Sequence, residues 1–257
     1  MSSDVGYNAG MVNTLPAQST LTSRRLPLTP IHILLGVQTL AVVLVSINRL
    51  STLTTGYVLP NEFLRWQDLL NMLGLPLISA IGFYLLKRRL AYASPALEGR
   101  AHRALDITFI IGLYLLAASY GAHEVTNYLH IRFCPDEASA LCRIISYNDD
   151  GFSHYVFFTG FVLINAVILL MQVVFPQVGK LGAGDIALLI LNGIFIGAGI
   201  FANLAFEEIG LDLYVVGLLA GLAVALLIRK GLQPMFVYYA TAYMLGLAAT
   251  AAYKLAH

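Results

Sequence analysis

Long apolar segments recur along this chain and constrain its fold more strongly than any other feature of the sequence. Each contains about 18 or more predominantly apolar residues, enough for an α-helix to cross roughly 30 Å of hydrocarbon. Only 11% of the residues are charged, whereas a typical soluble domain contains about 25%. The sequence therefore predicts a multi-pass integral membrane protein.

The lengths of these segments favour helices over strands. They are about twice as long as a tilted transmembrane strand needs, and they show no alternation with period 2. We predict an all-α bundle of seven transmembrane helices over residues 29–257, preceded by a flexible polar tail over residues 1–28. The predicted spans are residues 31–48, 63–86, 105–130, 152–175, 185–206, 211–228 and 234–253.

The positions of Lys and Arg predict the orientation of the bundle. If the N-terminus is cytoplasmic, ten of these residues lie inside, which are Arg24, Arg25, Lys87, Arg88, Arg89, Arg100, Arg103, Lys180, Arg229 and Lys230. Five lie outside, which are Arg49, Arg65, Arg132, Arg143 and Lys254. The positive-inside rule then predicts the N-terminus inside and the C-terminus outside. We expect a cell or inner membrane location, and the net charge of +1 disfavours a nucleic-acid partner.

Both cysteines of the chain fall in the segment "CPDEASALC", between the third and fourth predicted helices. The predicted orientation places this segment outside, where an oxidising compartment allows thiols to pair. We therefore predict a disulfide between Cys134 and Cys142, with two unpaired thiols as the alternative.

Polar residues interrupt the outer end of the third predicted helix, in the stretch "SYGAHEVTNYLHIRFC". His123, Asn127 and His130 follow one another at helical spacing, so they share one face. Ionisable side chains at membrane depth are costly and usually face a cavity, a partner or the bundle interior. These residues therefore mark a candidate site.

The fourth predicted helix opens with "NDDGFSH", in which Asp150 and His154 are four residues apart. The two helices are joined by a short loop and are expected to be antiparallel neighbours, so His123 and His154 should converge at similar depth. Imidazole and carboxylate ligands suit zinc or iron. We predict a metal site formed by His123, Asp150 and His154, with a metal-free polar pocket or solvated interfacial residues as alternatives.

Three further residues are predicted to take part in catalysis at this site. Glu124 or Glu207 is expected to act as general acid or base, and Asn127 as an orienting or oxyanion-stabilising donor. The zinc-protease motif HExxH is absent, because position 127 is Asn rather than a second His.

Three functions are compatible with this pattern. The first is a metal-dependent membrane enzyme that acts on a lipid or another hydrophobic molecule, by hydrolysis or by oxidation. The second is a sensor or an assembly subunit that binds a ligand or other membrane proteins. The third is a proton or cation transporter, which would need polar residues to continue inward along the path.

Overall fold

The structure is a computed structural model that describes residues 27–92, 99–206 and 210–256. These ranges contain seven helices that are long and apolar enough to span a membrane, and they contain no β-strand, so the predicted fold is confirmed. Residues 1–26 of the predicted tail lie outside the described ranges. The helices are α1 (Thr29–Leu50), α2 (Trp66–Ala91), α3 (Arg100–Phe133), α4 (Ala140–Val174), α5 (Ala183–Phe206), α6 (Leu211–Lys230) and α7 (Pro234–Ala256).

The outer surfaces of the helices carry many large apolar side chains. Ile110 and Leu218, for example, are 66% and 65% exposed. Such exposure fits contact with a lipid bilayer in a multi-pass membrane protein. The choice between a cell membrane and an inner membrane stays a prediction.

Helix α4 begins at Ala140, about a dozen residues before the predicted start at residue 152. Ser139 caps this helix, because its hydroxyl accepts a hydrogen bond from the backbone N–H of Cys142. The loop after α3 is therefore very short, and residues 147–152 form a π-helical turn inside α4. Asp149 and Asp150 consequently lie within a helix rather than in the loop before one.

Helices α4 and α7 are the most enclosed of the seven. Close approach between neighbours depends on glycine: a Cβ on Gly160 of α4 would lie 2.7 Å from the backbone N of Leu116 in α3. A Cβ on Gly197 of α5 would lie 2.9 Å from the backbone O of Ala242 in α7. Small residues thus allow these backbones to pack directly against each other.

The alternating helices give the bundle two ends. We call the end that carries Cys134 and Cys142 the disulfide end, and the other end the opposite end. The two cysteines lie at disulfide distance, with Cα atoms 5.3 Å apart. The two π-helical turns, residues 70–74 of α2 and 147–152 of α4, both lie at the disulfide end. Which end faces the cytoplasm stays a prediction.

Candidate active site at the disulfide end

The π-helical turn of α4 decides which of two neighbouring acids faces the bundle. In such a turn the hydrogen bonds join residues five apart, so the face presented to a neighbour shifts relative to an α-helix. The side chain of Asp149 is 1% exposed, whereas that of Asp150 is 65% exposed. Asp149 therefore takes the interior position.

Asp149 contacts two imidazoles of α3. Its Oδ1 lies 3.0 Å from Nδ1 of His123, an ion-pair distance without the angles of a regular hydrogen bond. Its Oδ2 lies 3.1 Å from Nδ1 of His130. The hydroxyl of Thr126 also donates to Oδ1, at 3.3 Å. Because burial of an unpartnered carboxylate is costly, these contacts are what allow Asp149 to lie inside the bundle.

His123 and His154 converge, as predicted, with ring centroids 4.9 Å apart. Nδ1 of His154 lies 3.0 Å from the backbone carbonyl oxygen of Asp150. Nδ1 of His123 is buried against Asp149. In both rings an oxygen acceptor therefore faces Nδ1, which leaves Nε2 as the nitrogen that can bind something else.

Both imidazoles line one cavity of about 560 Å³ at the disulfide end. Helices α1, α3, α4 and α5 contribute to its wall, and most of the surface that faces the cavity is apolar, although eight of the fourteen lining residues have a polar side chain. A largely apolar cavity with a few convergent polar groups is typical of a small-molecule site. The polar residues of the wall are Ser46, Arg49, Ser119, Tyr120, His123, Ser153, His154 and Asn203.

Glu124 lies beside His123 in sequence but faces a different part of the bundle. Its carboxylate lies 2.5 Å from the guanidinium of Arg49 in α1 and 3.5 Å from the side-chain amide of Asn71 in α2. Asn71 also accepts a hydrogen bond from Asn48. Glu124 thus forms an ion pair with Arg49. Arg49 lines the cavity, whereas the carboxylate of Glu124 does not. Its predicted role as general acid or base stays a prediction.

The charged residues at the start of α2 form an ion pair with each other. Arg65, directly before the helix, donates two hydrogen bonds to Asp68, at 2.7 and 2.8 Å. These hydrogen bonds raise the pKa of Arg65 above its ordinary value. Arg65 and Asp68 therefore form an ion pair near the site, and neither residue lines the cavity.

None of the remaining predicted site residues that the structure describes lines the cavity. The exposed carboxylate of Asp150 does not join the two imidazoles in the cavity, and instead its backbone carbonyl orients His154. Asn127 is half-buried one turn beyond His123 and is not part of the cavity wall. Glu207 lies outside the described residues.

A second group that could hold a metal ion lies next to the cavity. His130, Asp149 and Asp150 each offer one ligand atom, and these three atoms lie within 4.8 Å of one another. The other nitrogen of His130, Nε2, lies 3.3 Å from the hydroxyl of Ser146. This group uses the predicted Asp150, but with His130 and Asp149 instead of His123 and His154.

Sequence reasoning did not assign Asp149 or Arg49 to the site. For Asp149 the available signal was its position five residues before His154, the spacing that a π-helical turn aligns. For Arg49 the signal was a charge at the end of an apolar helix, which also fits an ordinary interfacial residue. Comparison of the chain with protein families, with curated proteins and with solved structures found no match.

Proposed function

We propose that the protein is an integral-membrane, metal-dependent enzyme whose site lies at the disulfide end and which acts on a lipid or another hydrophobic molecule. The observation that supports this proposal is the arrangement of His123 and His154. They come from two helices, face one cavity, and each turns Nδ1 toward an oxygen acceptor.

This arrangement is typical of metal-binding histidines. A ligating imidazole usually donates its second ring N–H to a carboxylate or a backbone carbonyl, which fixes the tautomer and the ring orientation. His154 has a backbone carbonyl as this partner, and Nδ1 of His123 lies 3.0 Å from the carboxylate of Asp149 without regular hydrogen-bond angles. At the opposite end, His32 and His102 instead turn Nε2 toward a carboxylate.

The spacing of the two rings also fits one ion. A metal bound through Nε2 at about 2.0–2.1 Å lies roughly 3 Å from the ring centre. Two imidazoles at a tetrahedral angle then have centroids about 5 Å apart, close to the 4.9 Å found here.

Of hydrolysis and oxidation, hydrolysis needs fewer reactants besides the substrate, because it needs only water. A metal held by His123 and His154 would supply Lewis acidity and would lower the pKa of a water molecule in the cavity. Hydrolysis would consume that water: its hydroxyl group would go to the carbonyl or phosphoryl centre and its proton to the leaving group. Oxidation by iron would also need dioxygen and an electron donor. Glu124 or Glu207 remains our predicted acid–base residue.

A second candidate is a metal-free sensor or assembly subunit. The contacts of Asp149 with His123 and His130 favour it, because they already partner these groups without an ion. In that case the cavity would bind a hydrophobic ligand and perform no chemistry.

Elemental analysis of detergent-purified protein tests the proposal. We expect about one zinc or iron per chain in the wild type, and loss of most of it in His123→Ala and His154→Ala. His102→Ala, at the opposite end, is the matched control and should retain the metal. Absence of stoichiometric metal from the wild type would contradict the proposal. Loss in His130→Ala and Asp150→Ala alone would place the ion on the neighbouring group and would also contradict it.

A further inference from the structure

The candidate cavity adjoins a groove of about 450 Å³ that runs between α1 and α5. The two spaces share three lining residues, Ser46, Leu50 and Ala202. Two of these, Ser46 and Ala202, are small, and they lie where the spaces adjoin. We refer to the histidine-lined cavity and the adjoining groove together as the elongated space.

This space changes from polar to apolar along its length. Its polar end carries Arg49, His123, His154 and Asn203. The groove extends from Leu50 back to Val42, eight residues of α1 or about 12 Å, toward the middle of the helix. The hydroxyl of Ser46 donates to the carbonyl oxygen of Val42, so it adds little polarity to the groove.

The shape of the groove suits a linear hydrocarbon chain. On α5 it is lined by the small residues Ala198, Gly199 and Ala202. A Cβ on Gly199 would lie 3.1 Å from Cγ1 of Val42, so α1 and α5 approach each other closely at the inner end of the groove. Its sides carry Ile47 and Phe195, each of which is 46% exposed. Because these residues lie within membrane-spanning helices, their exposed surfaces face lipid rather than water. An occupant can therefore enter sideways from the bilayer.

We infer that the substrate of the proposed enzyme is an acyl-chain lipid, whose hydrocarbon chain lies between α1 and α5 and whose polar group reaches His123 and His154. The order of polarity in the elongated space is that of a lipid in one leaflet, with the polar group near the membrane surface and the chain toward the middle. A lipid in this leaflet could therefore bind without changing its orientation relative to the membrane. This inference rests on the proposed function for its chemistry, but the lipid site can be tested independently.

The probe is a phosphatidylcholine with a photoactivatable diazirine in the middle of one acyl chain, included in phosphatidylcholine nanodiscs with the full chain. Mass spectrometry of the cross-linked peptides locates the chain. We expect residues 42–50 and 195–202 to be labelled at least fivefold more than the exposed surface of α6. Ala202→Trp, which fills the junction of cavity and groove, should reduce this labelling at least fivefold.

Matched variants separate blocking of the groove from disruption of the fold. Ala187→Trp places the same side chain on an exposed position of α5 outside the groove and should leave the labelling unchanged. Ser46→Phe narrows the space from α1, and it replaces Ala202→Trp if that variant does not elute as a monodisperse species. Uniform labelling of all helices, or undiminished labelling in the blocked variants, would overturn the inference.

Metal content, measured on the same samples, distinguishes failure of the lipid inference from failure of the proposed function. Retained metal with unspecific labelling would overturn only the lipid inference. Specific labelling without metal would support the lipid site and contradict the enzyme.

Discussion

The two ends of the bundle use the same residue types in different ways. Each has a cluster of histidine and aspartate beside a cavity. At the opposite end, Asp106 lies 2.5 Å from Nζ of Lys87 and 3.5 Å from Nε2 of His102, next to a cavity of about 470 Å³. At the disulfide end, two imidazoles contact Asp149, and no Lys or Arg of the described chain forms an ion pair with it.

The difference lies in the partner of the carboxylate. Asp106, whose side chain is 37% exposed, forms an ion pair with Lys87, so this carboxylate already has a cationic partner. Asp149 is buried, and its imidazole partners can be neutral and can still bind a further group. Because His102 also lines a cavity, the two clusters differ in the partner of the carboxylate rather than in the presence of a histidine beside a cavity.

The largest expected effect concerns the ion pair of Arg49 with Glu124, in which the Glu124 side chain is 3% exposed and the Arg49 side chain is 36% exposed. Arg49→Ala should lower the free energy of unfolding by about 3 kcal/mol, because it leaves the carboxylate of Glu124 buried without its cation. Lys87→Ala at the opposite end should cost about 1 kcal/mol or less, because Asp106 can be solvated. Reversible unfolding in detergent measures both. Equal costs would remove the distinction between the two ends.

A somewhat smaller effect is expected when Asp149 is replaced. Asp149→Asn should weaken metal affinity by about 10- to 100-fold, since loss of a residue that orients a ligating histidine typically has this effect. Asp106→Asn should leave affinity unchanged. Competition with a zinc chelator measures the affinity of each variant. Unchanged affinity in Asp149→Asn would show that the carboxylate does not orient His123 for metal binding.

The short loop at the disulfide end gives the next prediction. Reduction of the bond between Cys134 and Cys142, or the double replacement by serine, should cost about 2 kcal/mol, because a closed loop restricts the unfolded chain. Intact mass before and after reduction checks the bond itself. A mass that shows two free thiols under non-reducing, alkylating conditions would exclude the bond.

The same cysteines test the predicted orientation without a change in stability. After reduction, a membrane-impermeant thiol reagent applied to intact cells should label the loop between α3 and α4. Labelling that requires permeabilised membranes would place the disulfide end in the cytoplasm and would reverse the predicted topology.

Much of the fold was accessible from the sequence. Helix number follows from the length of the apolar segments, and the convergence of His123 with His154 follows from a short connection between antiparallel helices. The spacing of the cysteines likewise indicated a pair at disulfide distance. These features depend on local pattern and connectivity, which a sequence states directly.

The rest of the site depends on features that the pattern does not state. Asp150 was chosen because it lies four residues before His154, but the π-helical turn gives the interior position to Asp149. The contact of Arg49 with Glu124 requires α1 to pack near α3, and no local signal identifies which helices are neighbours. Register and helix adjacency are therefore the two properties that limited the prediction.

X-ray absorption of the zinc-loaded protein tests most directly whether His123 and His154 bind one ion. We predict two imidazole ligands with Zn–N distances of about 2.0–2.1 Å, and loss of this two-imidazole signal in either His123→Ala or His154→Ala. His102→Ala should give the wild-type spectrum. An imidazole signal that is unchanged in both cavity variants, or that falls only in His130→Ala, would contradict the account.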